Sequence, residues 1–178
     1  MLTSNSYRSF IGIILFLVVG LPAILQAQRP VPADYSSSTL RSYVRVWDAT
    51  APEQTPATLM TRPLKDVKQT TQYFDGLGRP LQTVMKQGSY PSGGSATDLV
   101  SMVEYDAFGR EQFKYLPTRA STSDGVFKLN PFSQQASFYA NSNSASPIYN
   151  QGEDFFYSQA VYEASPLYTL SLHDALPI

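Results

Sequence analysis

One six-residue pattern occurs twice in this chain, and it limits what the chain can fold into. Phe74-Asp75-Gly76-Leu77-Gly78-Arg79 and Tyr105-Asp106-Ala107-Phe108-Gly109-Arg110 both read aromatic, Asp, two variable residues, Gly, Arg, and their starts lie 31 positions apart. A turn that opens on Asp gains backbone N–H bonds to the carboxylate. A glycine three positions later tolerates the positive φ of a tight reversal. The arginine opens the outgoing strand within reach of a carboxylate or a free carbonyl. The flanks read as strands: residues 67–74 are rich in β-branched and aromatic types, and apolar and polar residues alternate roughly in both outgoing arms. The spacing therefore predicts two antiparallel hairpins of one kind, a unit suited to stacking.

Both ends of the chain stand apart from this unit. Arg8, the apolar stretch Phe10 to Leu25 and the small residue Ala27 have the form of a secretory signal peptide over 1–27. The stretch is shorter than the ~20 apolar residues that span a bilayer, so an uncleaved anchor is the weaker alternative. Either way the membrane is met only through this segment, and the expected destination is across the inner membrane, secreted or at the cell surface. Residues 168–178 resemble a translated sequencing adapter, and the single histidine, His173, lies among them. Removing both ends takes away Arg8 and Asp174, one charge of each sign, so the net charge of −1 is unchanged. With no basic run there is no footprint for nucleic acid. With no cysteine there is no disulfide.

Between the ends, residues 28–40 read as an exposed Pro- and Ser-rich linker. Ser42–Trp47 reads as a strand with Val44 and Val46 on one face and Tyr43, Arg45 and Trp47 on the other. Residues 48–64, with three prolines, read as loop, and Gly88–Ser95 as a flexible joint between the hairpins. Asn130-Pro131 predicts a short helix with Asn130 as its cap, ending by Asn141. Phe155–Tyr162 is the last strand candidate.

Chemistry is sparse. Zinc-type sites need Cys or His ligands, and Ser-His-Asp catalysis needs a histidine. Asp124 with Glu153 and Asp154 lacks any calcium-loop spacing. Asp75 and Asp106 form a conceivable carboxylate pair, but their matched turns favour backbone capping. No catalytic, metal or cofactor site is expected. Tyr43, Trp47, Tyr73, Tyr105 and Tyr115 are candidates for a sugar-stacking surface, with Tyr43 and Trp47 foremost; packing between strands is the simpler account.

The doubled pattern resembles the YD repeat of the RHS family of large bacterial surface or secreted proteins. Gln72 to Val84, Val103 to Arg110, Lys114 to Pro117, the Asp124-Gly125 turn, Phe138-Tyr139 and Val161 to Leu167 resemble a domain of unknown function at the amino terminus of some RHS proteins. The resemblance covers about residues 40 to 167, giving a domain over 41–167. It implies a mainly β fold of YD-type hairpins with one short helix, and a non-enzymatic module leading into or capping a β shell that encloses a carboxy-terminal toxin or effector. Its partners would be the following YD repeats of the same full-length chain. The alternative is a β module that binds cell-surface glycans.

Overall fold

The computed structural model describes residues 29–90, 94–140, 146–151 and 155–164. The expected signal segment, the tail with His173, and Glu153 and Asp154 lie outside the described residues. Four strands form an antiparallel meander: β1 (Ser42–Ala49), β2 (Val67–Phe74), β3 (Pro80–Ser89) and β4 (Thr97–Glu104). Three short strands extend it. β5 (Phe113–Tyr115) pairs with the end of β4, β6 (Thr118–Arg119) with its start, and β7 (Tyr157–Gln159) closes the far edge on β5. The expected antiparallel β architecture is borne out. Among the described residues there are two helices rather than one: α1 (Pro56–Leu59), a single turn inside the segment read as loop, and α2 (Pro131–Tyr139).

The hairpins are not separate units on a flexible joint. β3 and β4 pair from Gln82↔Met102 to Ser89↔Thr97, so the two turn hairpins share one sheet, with Gly88 and Ser89 in β3 itself. The last strand is also shorter than expected, three residues within 155–162, because β5 offers only three residues to pair with.

Strand alternation sends Thr71, Tyr73, Gln82, Val84, Val100 and Met102 to one face, all buried. There they meet Leu81, Ala120, Phe127 and Phe132. β1 alternates as predicted, but its valines point outward: Val44 and Val46 are each 56% exposed, on the side of the sheet that also shows Met85. Its aromatic side faces the core, where the Tyr43 and Tyr73 rings lie 5.8 Å apart.

The lead-in is docked, not a free linker. Tyr35 packs against the core, its ring 5.1 Å from Phe127 and 5.7 Å from Phe132, and its hydroxyl donates to the Leu81 and Val103 carbonyls at 3.2 and 3.3 Å. Arg29 pairs with Glu104 through both guanidinium nitrogens and lies 3.8 Å over the Phe113 ring. The segment also supplies the cap assigned on sequence grounds to Asn130. Asn130 makes no side-chain cap bond to the helix N–H groups. Asp34 instead accepts the N–H groups of Phe132 (3.1 Å) and Ser133 (3.2 Å) and the Ser133 hydroxyl. Asp34→Ala is therefore expected to cost about 1 kcal/mol, in the range of a lost N-cap, and Asn130→Ala clearly less. Urea unfolding of the two variants checks the order; a reversed order would return the cap to Asn130.

Candidate functional site

The two Asp–Arg turns are near-copies at atomic detail. In the first, Gly78 N–H donates to the Asp75 carbonyl (3.0 Å) and Asp75 N–H to the Arg79 carbonyl (2.9 Å). Asp75 Oδ1 accepts the N–H groups of Leu77 (2.9 Å) and Arg79 (2.8 Å), and Oδ2 accepts Arg79 Nε (2.8 Å). In the second, Gly109 and Asp106 make the same two backbone bonds, both at 2.9 Å. Asp106 Oδ1 accepts Phe108 and Arg110 N–H, both at 2.9 Å, and Oδ2 accepts Arg110 Nε at 2.8 Å. Gly78 and Gly109 hold φ of +78° and +77°. The carboxylate thus closes the turn at its backbone and fixes the arginine side chain in one stroke.

That fixed arginine reaches the next unit. Arg79 lies 4.5 Å over the Tyr105 ring, and the Tyr105 hydroxyl donates to the carbonyl of Pro80, the residue after Arg79, at 2.9 Å. Arg110 repeats the step with Tyr162. The guanidinium lies 4.7 Å over that ring, and the Tyr162 hydroxyl donates to the carbonyl of Glu111, the residue after Arg110, at 3.2 Å. Tyr162 therefore stands where Tyr105 stands, one unit on. Arg110 adds Phe108 at 4.9 Å and is buried, whereas the Arg79 side chain is 37% exposed. Phe74, the aromatic of the first copy, closes β2 at a register shift and is half-buried. Tyr162 was not legible as part of the pattern, because no Asp-x-x-Gly-Arg follows it. The sequence signal was Tyr162-Glu163-Ala164, which matches Tyr105-Asp106-Ala107 in aromatic, acid and alanine.

As acids the turn aspartates are already committed. Partial burial pulls the Asp75 carboxyl up, but the Arg79 backbone N–H and guanidinium outweigh it and hold it below its ordinary value; the Arg110 N–H does the same for Asp106. Glu104 also lies low, the Arg29 and Tyr115 bonds outweighing burial. Groups depressed in the folded state contribute stability above their unfolded values and lose it as pH falls through the folded ones. The thermal midpoint is therefore expected to hold at neutral pH and to fall below about pH 4, the ordinary carboxylate range. The Asp75→Asn/Asp106→Asn double variant should start lower and fall less steeply. Circular dichroism melts across pH check this, and parallel curves would remove the turns from the acid response.

The glycines separate two costs. A Cβ at Gly78 meets nothing within 4 Å, so Gly78→Val should cost only backbone strain, about 1–3 kcal/mol. A Cβ at Gly109 would sit 2.7 Å from Arg79 Nη1. Gly109→Val should cost more, because the arginine must leave Tyr105. Equal costs by denaturant unfolding would mean that the contact between turns adds nothing.

The proposed sugar-stacking residues are distributed differently. Tyr43 is 58% exposed, but Arg45 Cζ lies 5.2 Å over its ring and 5.9 Å over Trp47. Trp47 is half-buried and borders a cavity of about 30 Å³, far below the volume of ordinary ligand sites. Tyr73 is in the core, Tyr105 lies under Arg79, and the Tyr115 hydroxyl donates to Glu104 at 2.6 Å. A wider groove of about 510 Å³ lies elsewhere, lined by Arg119, Ser121, Asn130, Ser133, Gln134 and Phe138 among others.

A second polar cluster lies under the sheet. Asp98 is fully buried at the start of β4, and Lys128 Nζ donates to its Oδ2 at 2.7 Å. Nζ also donates to Thr122 Oγ1 at 2.6 Å and to Asp124 Oδ1. Asp124, weighed as a calcium ligand with Glu153 and Asp154, thus faces a lysine. The Lys128 peptide pairs with buried Gln82, N–H to Oε1 at 2.8 Å and Nε2 to the carbonyl at 3.2 Å.

Comparison with curated proteins and with solved structures finds no match. The profile of one family, described as a domain of unknown function (DUF6443), matches residues 45–172, which contain both turns and the tyrosines their arginines stack on, and which run past Leu167, where the family resemblance was expected to end. With most of its length matched, including both turns and the strands they join, the chain belongs to the DUF6443 family.

Proposed function

We propose that this chain is a non-enzymatic structural module at the amino terminus of a large exported RHS/YD-repeat protein. It leads into, or caps, a β shell of following repeats that would carry a carboxy-terminal effector. The observation that carries this reading is the ladder: each arginine set by one turn stacks on a tyrosine of the next unit, and the step is made twice with the same pair of contacts. A contact that repeats from unit to unit suits an array. Both aspartates are spent on turn closure, which favours architecture over acid–base chemistry. Export rests on residues 1–27. The test is to sequence the gene past the codon for Leu167. Further aromatic-Asp-x-x-Gly-Arg units in frame are the expected result; a frame that stops soon after, with the tail encoded, overturns it.

A surface carbohydrate-binding role is the second reading, favoured by the exposure of Tyr43. It requires saturable glycan binding that Trp47→Ala abolishes while the fold is kept. A glycan array without signal removes it.

A further inference from the structure

The Asp98–Lys128 pair has more around it than an ion pair needs. Asp98 has no solvent exposure and Lys128 is 6% exposed. Each carboxylate oxygen of Asp98 accepts a backbone N–H, Oδ1 from Gln87 at 2.8 Å and Oδ2 from Gly125 at 2.7 Å. Both donors sit in left-handed backbone, Gln87 at φ +53° and Gly125 at φ +70°. That conformation is unfavourable for a residue such as Gln87. Oδ1, which accepts the Gln87 N–H, is placed to be stabilised as charge develops on it in a tetrahedral intermediate, while Oδ2, which faces Nζ, is the oxygen placed to leave. The amine rests against that same carboxyl, in hydrogen-bond contact, so no diffusive step separates the reacting groups. A second carboxylate, Asp124, accepts from the same Nζ and reaches solvent with 49% of its side chain exposed.

We propose that Lys128 and Asp98 condense into an intramolecular isopeptide bond, with Asp124 transferring the protons. Nζ passes a proton through Asp124 to Oδ2 of Asp98, and its freed lone pair attacks Cγ of the carboxylic acid so formed. The tetrahedral oxygens are held by the Gln87 and Gly125 N–H groups. The Cγ–Oδ bond breaks as the leaving oxygen takes two protons, both originating on the ammonium and relayed through Asp124. The products are one amide and one water, Asp124 returns to its carboxylate, and no oxidant, reductant or cofactor takes part. The bond would tie the start of β4 to the segment before α2. In a chain without cysteine this is a staple that a disulfide cannot supply.

The experiment is intact-mass spectrometry of the purified full chain, followed by peptide mapping. The expected mass is lower by one water than that calculated from the chain's own verified termini, and digestion should release one branched peptide joining Asp98 to Lys128. Lys128→Arg keeps the charge but offers no amine nucleophile, and Asp124→Asn removes the proton relay at a half-exposed position; both should show the full mass. Because Asp124-Gly125 and Asp75-Gly76 can lose water as cyclic imides, the map decides. A water loss confined to either of those pairs and reversed by hydroxylamine overturns the proposal. So does wild-type protein at full mass, which leaves an ordinary buried ion pair. A water loss that survives in Asp124→Asn overturns the role of Asp124.

Discussion

Asp98→Ala is expected to destabilise the domain by about 3–5 kcal/mol, the range for removing one partner of a buried charge pair. The loss has three parts. Lys128, buried beside Gln82, keeps Asp124 and Thr122 as its side-chain partners among the described residues. The N–H groups of Gln87 and Gly125 lose their acceptor, and unsatisfied buried donors are costly. The left-handed conformations at those two residues lose the group that holds them. Any covalent link at the pair would be lost as well. Urea unfolding with an unchanged m-value is the measurement. A loss under about 1 kcal/mol would mean that desolvation of the pair already offsets its attraction.

The second large effect is expected at Tyr73→Ala, again about 3–5 kcal/mol, as for other aromatic truncations in a core. Tyr73 is 4% exposed, and its ring lies 5.8 Å from Tyr43 and 5.1 Å from Phe127. It joins three pieces distant in sequence: the edge strand β1, the centre of the sheet, and the segment that covers it. The cavity would lie between elements that cannot close on each other without breaking strand register. Tyr43→Ala, at an exposed edge position, should cost much less by the same assay. Similar losses at both sites would place the core elsewhere than under β2.

What the sequence made legible is what depends on near neighbours. The Asp–Arg closure spans four positions, so both turns and the strands beside them could be read directly. Period-two alternation did the same for β1 and the outgoing arms. The short strands were not legible, because β6 has two residues and β5 and β7 three, too few for any period. Their strand character comes from β4 and from each other. The lead-in looked free because it has no periodicity; it docks through three separate side chains, Arg29, Asp34 and Tyr35, each with a partner far along the chain. The same distance hid Asp98 from Lys128 and Arg110 from Tyr162. The assignment of the helix cap to Asn130 failed for a related reason, since propensity names a suitable local residue and a distant carboxylate can take its place.

The two rungs of the ladder enclose very different lengths of chain. Between Arg79 and Tyr105 there is little more than one hairpin, whereas between Arg110 and Tyr162 lie β5, β6, the Lys128 segment, α2 and β7. Apart from the docked lead-in, the layer that roofs the sheet is thus housed between the two turn contacts, and the rung beyond it closes as though nothing had been inserted. Length variation within the family should accordingly gather in this interval and spare the other. The interval is then a natural graft point, where one roof can be exchanged for another without altering the rung that closes it.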